Sequence, residues 1–490
     1  MTDEFSNMAT MTDARRIMIE SEIENDRKLS AIYQKRASVR DFEDENRINN
    51  YGGFDKENTL SLANHFTNED LVEHTFNLSA FSGYQITSLE NAFKDCTELY
   101  EIDLSPLNLD FCTSFKRCFS GCTSLRTIKF GHQCTINVKD MSEMFYNCKV
   151  LLNIDTGGYA KNQLDWNTSQ VLDISGMFCN CESLTNLQVD TFDVSNVLRM
   201  HKTFMNCKRL TSLRVGNWTP LQCLDGGFLF AGCQELRYLD MENWKFPNGV
   251  ILRYMFYQCE TLQYVNLSKW DFLCQDMSSM FENCRCMETI DMEKIPLSAV
   301  FDVSNLYYDC ESLISVKPPK GSANIGTTMV RLCANCSSLP EIEIISKFSA
   351  DARELYRNCK SMKKISILDH QMDNVKYMDD MFSNCSNLTV LDLSKQNCSP
   401  LTASCAFSGC TNLEVLDLSG FDFSNTDLTK AFDDLPSLTI IIIKEIPNNI
   451  YIKSSHLYIN GKQFRRYFSF TRNNGILRVC LTEDFQGSDE

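Results

Sequence analysis

The sequence predicts an α/β solenoid of about 14 stacked units, each a short helix followed by a short strand, with an N-terminal helical arm and a C-terminal β-hairpin cap. Three observations carry this expectation. Thirteen of the 24 cysteines fall on one beat, from Cys96, Cys122, Cys148 and Cys181 through Cys207, Cys233, Cys259 and Cys284 to Cys310, Cys336, Cys359, Cys385 and Cys410; a fourteenth beat carries Leu435. Most steps are 25 or 26 residues. Apolar residues after each cysteine alternate with the period of a strand, and those before it recur with the period of a helix. Self-similarity at a fixed period of this size means that one supersecondary unit stacks on the next.

The first region is 1–58. Thr12 to about Ala37 reads as a helix with Thr12 or Asp13 at its N-cap, and Ser38 to Asn58 is charged and poor in large apolar residues, as a linker is. The solenoid is expected over 59–446. It opens on a degenerate repeat at 66–88, where Asp70 stands on the beat and Phe76 and Leu78 take the strand positions.

Each later unit repeats two patterns. Met141, Met144, Phe145 and Cys148 sit at i, i+3, i+4 and i+7, as do Met277, Met280, Phe281 and Cys284, and Met378, Met381, Phe382 and Cys385; this is one apolar helical stripe. About two turns of helix are too short to be stable alone in water, so stacking is obligatory. Asp140, Asn196, Asp276 and Asn374 lie at or near the entry of the stripe, where short polar side chains satisfy free amides. Three, six and eight residues after the cysteine come apolar residues such as Leu99, Ile102 and Leu104, the alternation of a strand. A serine follows, as in Ser105, Ser268, Ser394 and Ser419, and suits the turn out of the strand.

Two beats are irregular. The 33-residue step between Cys148 and Cys181 holds seven extra residues near Gly157 to Gln163, which must leave the stack as a loop. The 23-residue step from Cys336 to Cys359 lacks three, and Pro318 occupies a core position, so a distortion is expected between Val316 and Leu355. The last region, 447–490, is β-rich. Asn460-Gly461 and Asn474-Gly475 are hairpin signals, and such a tail covers the last open strand edge. It is also basic, with Arg465 and Arg466 at its centre, and reads either as a solvated cap or as a dock for an acidic partner.

The phrases MSEMFYNCKVLLNID, DMSSMFENCRCMETIDM and MDDMFSNCSNLTVLDLS resemble the BspA-like class of leucine-rich repeats, with units of roughly M-x-x-M-F-x-x-C-x-x-L-x-x-L-x-L-S. The resemblance covers about Phe66 to Pro447. It implies a leucine-rich-repeat stack without catalytic residues, and members that bind host or matrix proteins at a cell surface.

Composition bounds the function. The net charge of −17 opposes binding to nucleic acid or anionic lipid. No stretch approaches the roughly 18 apolar residues of a membrane span. The first thirty residues hold no apolar leader core, which favours an intracellular (cytoplasmic) site or a place within an assembled particle, with the cell surface as the alternative. The thiols should lie in a file with parallel side chains that cannot converge into disulfides, and so be reduced and buried. Cys333 and Cys336 form a lone C-x-x-C, but Cys333 stands where most repeats have Phe. Six scattered histidines and the absence of phosphate-cradling glycine loops offer no enzyme, and no metal, cofactor or small-molecule substrate is expected.

The expected function is a non-enzymatic scaffold for protein-protein interaction, a structural component of a larger cytoskeletal or capsid-like assembly; the alternative is a BspA-like surface adhesin. Partners are proteins, among them other copies of the chain. Residues five and seven after the beat should face outward on the strands. The second of these files is acidic, and the first places Tyr238 and Tyr264 in adjacent repeats. Tyr238, Asp240, Tyr264, Asn266 and Asp291, with Arg465 and Arg466 of the tail, are the candidate partner-binding residues. The aspartates have a competing structural reading, as side chains bonded to turn groups.

Overall fold

The computed structural model describes residues 59–68, 75–131, 135–157, 162–319, 327–342, 348–365, 367 and 369–443, together with four strands between 456 and 481. The arm and linker at 1–58, Asp70, Arg465, Arg466 and both Asn-Gly turns of the tail lie outside the described residues.

The helix expected in every unit does not form. Among the described residues there is no α-helix, only short 3-10 turns such as Leu78–Phe81 and Leu297–Ala299 besides strands and turns, so the solenoid is nearly all-β rather than α/β. The coil around Cys148 shows why. Its Met144 and Cys148 amides close four-residue turns on the carbonyls of Met141 and Phe145 at 3.4 and 3.0 Å. Glu143 and Asn147, third in each turn, have φ of 53° and 62°, the arrangement of two type II turns in series. A left-handed residue at every fourth place stops a right-handed helix. The remaining amides point out of the coil: those of Met141, Glu143, Phe145 and Asn147 donate to the carbonyls of Asp173, Ser175, Met177 and Cys179 on the next coil, at 2.8 to 3.0 Å. The same pair of positive φ values recurs one and five residues before every beat, from Asn91 and Asp95 to Lys430 and Asp434. Tandem four-residue turns and a helix share the i, i+3, i+4, i+7 spacing, so apolar periodicity alone does not separate them.

Three files of side chains fix the turns. Phe93, Phe119, Phe145, Phe178, Phe204, Phe230, Phe256 and Phe281 stack ring on ring, neighbours 5.2 to 5.8 Å apart and within 20° of parallel. Beside them run the thiols. Cys148 donates to Phe119 O at 3.1 Å, Cys181 to Phe145 O at 3.2 Å, Cys207 to Phe178 O at 3.2 Å and Cys233 to Phe204 O at 3.2 Å. Each of these carbonyls also accepts its own coil's turn amide, so the thiol fills a second, buried acceptor position. The third file is of asparagines at the left-handed position. Asn180 Nδ2 donates to Asn147 Oδ1 at 2.6 Å and Asn206 Nδ2 to Asn180 Oδ1 at 2.8 Å; the ladder stops at Gly232, where a Cβ would strike Asn206 Oδ1 at 2.3 Å.

Two of the four residues expected at the entry do what was asked of them. Asp140 accepts from the amide of Ser142 and Asp276 from that of Ser278, at 2.8 and 2.9 Å. Asn196 instead donates to Ser169 O on the preceding coil.

The strands across the coil are three residues long, four in the last, and parallel. Glu101–Asp103, Thr127–Lys129 and Asn153–Asp155 form one ladder, Tyr238–Asp240 pairs with Tyr264–Asn266, and Val390–Asp392, Val415–Asp417 and Ile440–Ile443 form another. In the three-residue strands named here only the middle residue is buried, as with Ile102, Leu239 and Val265, whereas Ile441 and Ile443 are both buried in the last. The ladder breaks at the long step, where Asn162 fills the gap. Its Oδ1 accepts from Ile154 N at 2.8 Å, and its Nδ2 donates to Leu152 O and to Asn186 O, both at 3.2 Å. Beyond the last coil Ile440–Ile443 pairs with His456–Ile459, which pairs antiparallel with Lys462–Phe464, and Phe468–Asn473 forms a separate hairpin with Ile476–Leu481.

Candidate interaction surface

The alternation of a strand places its first and third residues in solvent, and the structure uses that position for aromatics only in the middle of the stack. Tyr238 and Tyr264 stand opposite one another in register, 54% and 42% exposed, with ring centroids 5.8 Å apart and planes 17° from parallel. Asp240 and Asn266 end the same two strands. Next to them is a depression of about 450 Å³ lined by Asp190, Ser212, Arg214, Gly216, Tyr238 and Asp240. Gly216 gives it a floor without a side chain.

The fate of the acidic file is mixed. Asp240 Oδ1 accepts from the amide of Glu242 at 3.2 Å, Asn266 Oδ1 from Ser268, Asp392 from Ser394 and Asp417 from Ser419, each closing the turn out of its strand. The hydrogen bonds from Ser394 hold the Asp392 carboxyl below the usual carboxylate range. Asp291 sits one coil beyond the tyrosines and is bound by Lys317 Nζ at 2.7 Å, and Asp103 by Lys129 Nζ at 2.9 Å. Four of the expected residues, Tyr238, Asp240, Tyr264 and Asn266, are therefore brought together. Asp291 is engaged elsewhere, and Arg465 and Arg466 lie outside the described residues. Asp190 and Arg214 belong to the patch although the sequence did not single them out as a site; the signal was the glycine two residues after Arg214, which opens the depression.

The thiols of the beat are withdrawn from solvent. Twenty of the 22 cysteines among the described residues are buried and none is in a disulfide. Burial pushes the Cys259 and Cys359 thiols up to about 12, where no thiolate forms near neutral pH. Cys333 is a buried core residue at the break in the phenylalanine file. Among the described residues no group of three or more His, Cys, Asp or Glu side chains could hold a metal ion, and no helix is long and apolar enough to cross a membrane.

Comparison with known proteins agrees with this reading. A family model described as "Mycoplasma protein of unknown function, DUF285" matches residues 59–164 and 155–270, and one described as "BspA type Leucine rich repeat region (6 copies)" matches residues 226–363, 303–432 and 331–465. No curated protein matches the chain. Among solved structures, a leucine-rich repeat protein from Bacteroides ovatus is 18% identical, over 73% of this chain and 82% of that one, with a TM-score of 0.48. A leucine rich cell surface protein from Faecalibacterium prausnitzii is 14% identical over 77% and 84%, with a TM-score of 0.30. An internalin from Listeria monocytogenes is 15% identical over 67% and 88%, with a TM-score of 0.23. The expectation of an intracellular or particle-bound location is corrected: none of these neighbours is named for either place, and the Faecalibacterium prausnitzii protein is named for the cell surface. Residues 226–465 belong to the BspA-type leucine-rich-repeat family, a stack of repeats of the kind that presents an extended surface to partners.

Proposed function

We propose that this protein is a surface-displayed adhesin of the BspA-like kind, which binds host or matrix proteins through its solvent-facing strands at Tyr238, Asp240, Tyr264 and Asn266. The observation that carries the reading is the exposed, stacked tyrosine pair beside a depression bordered by Arg214 and Asp190. Aromatic rings exposed at the centre of a polar face supply large contact area at low entropic cost, the composition of interface anchors. The buried thiols are compatible with an oxidising exterior, because burial withholds the thiolate that disulfide formation needs.

Immobilised fibronectin, laminin, fibrinogen and collagen, probed with the full chain by interferometry, test it. At least one should bind, and the triple variant Tyr238→Ala, Asp240→Lys, Tyr264→Ala should weaken that binding at least about tenfold with an unchanged melting temperature. No binding to any of them, or binding that the triple variant leaves intact, sinks the proposal.

A further inference from the structure

The opposite, turn-bearing side of the coils carries a second cluster. The left-handed position five residues before the beat is filled in most coils by small or polar residues, such as Asn91, Glu143, Gly176, Lys202 and Ser279. In two adjacent coils it holds Phe228 and Tyr254, with φ of 56° and 57°, a conformation that costs bulky side chains energy. Both are half-exposed. Their rings stack at 4.6 Å, Tyr257 meets Tyr254 edge-on at 5.5 Å, and His201 meets Phe228 edge-on at 5.9 Å.

Lys202 lies over Phe228, its Nζ 5.5 Å from the ring centroid, and makes no ion pair among the described residues. One coil further back, Gly176 leaves a notch of about 470 Å³ walled by Tyr146, Cys179, His201, Lys202 and Met205. Its side-chain amides, its serine and its glutamate are already used. Asn180 and Asn206 donate along the asparagine ladder, Ser175 Oγ donates to Asp173, and Glu143 is held by Arg117 in a two-pronged pair at 2.7 and 3.0 Å.

We infer that this face docks an extended acidic peptide of a protein partner, which places an apolar side chain in the Gly176 notch and pairs a carboxylate with Lys202. Charge complementarity chooses the occupant: a lysine ammonium without a carboxylate and the positive edges of stacked aromatic rings both favour an anion. The notch chooses peptide over glycan, because its tyrosine, methionine and thiol walls suit an apolar side chain and its amides are not free to bind sugar hydroxyls. The inference does not rest on the strand-face proposal, since none of these residues lies in that patch.

A random dodecapeptide display library, selected on the full chain and counter-selected on the double variant Lys202→Glu, Gly176→Asn, tests it. Asn tolerates the left-handed backbone of residue 176 while filling the notch, and the variant's melting temperature confirms the fold. The expected result is enrichment of peptides with Asp or Glu next to Leu, Met or Phe, bound at least tenfold more weakly by the double variant and unaffected by the tyrosine variants of the strand face. Enrichment without acidic residues, no peptide that distinguishes the two proteins, or polygalacturonate binding that depends on Lys202 in place of peptide binding overturns it.

Discussion

The two sides of each coil are built to different rules. On the turn side phenylalanine, thiol and asparagine recur coil after coil, buried and bonded to their equivalents in the next unit. On the strand side only the middle residue of three is buried, the ladder breaks at several places, and the outward positions vary from coil to coil. Regularity therefore marks where the stack is held; the variable positions, on the strands and at Phe228 and Tyr254 on the turns, are where we propose that it meets other molecules.

The largest expected effect comes from opening the aromatic file. Phe178→Ala removes a buried ring stacked on Phe145 and Phe204 and should cost about 3–5 kcal/mol in chemical denaturation. Asn180→Val should cost about 2–3 kcal/mol, because it places a β-branched residue at φ 61° and breaks both ladder bonds, whereas Asn180→Gly, which keeps the backbone, should lose only about half of that. If the two variants proved equal, the left-handed turn would not be what asparagine supplies. Next is Cys207→Ala, which leaves Phe178 O without its second donor and should cost about 1–2 kcal/mol, while denatured wild-type protein titrates as free thiols under non-reducing conditions.

Asp276 gives a pH signature on the turn side. Burial, and then the like charge of Asp302 on the next coil, push its carboxyl up to about 6. The folded state thus holds this proton more tightly than the unfolded chain, so the site's contribution to stability is full below about pH 4 and is lost as pH rises towards 6. Asp276→Asn, which still accepts from Ser278, should flatten that slope in melts taken between pH 4 and 7. The smallest effect belongs to the strand side: Tyr238→Ser with Tyr264→Ser should change stability by no more than about 0.5 kcal/mol per residue.

The contrast also explains what could be read from the sequence. The beat, the stacking and the strand alternation were legible because each rests on burial, which leaves a period. The turns were misread because Met141, Met144, Phe145 and Cys148 have the same spacing on a helix and on two tandem turns. The decisive residues lay between the apolar ones. Thirteen of the fourteen positions before the beat are Asn, Asp or Gly, the residues that tolerate positive φ, with Gln258 the exception. In the candidate patch, Tyr238 and Asp240 followed directly from the strand period. The bonding of aspartates to turn groups was anticipated too, as Ser394 to Asp392 is, whereas the Lys317 to Asp291 pair was not, since it depends on the neighbouring coil.

The central claim is the division of labour between the two sides, and one paired measurement tests it most directly. Equilibrium unfolding and matrix-protein binding are measured together on Asn180→Val and on the Tyr238, Asp240 and Tyr264 triple variant. The turn-side variant should lose stability yet bind with unchanged affinity per folded molecule, and the strand-side variant should keep its stability and lose binding. A strand-side variant that unfolds as readily as the turn-side one, or that binds as well as wild type, would contradict the account.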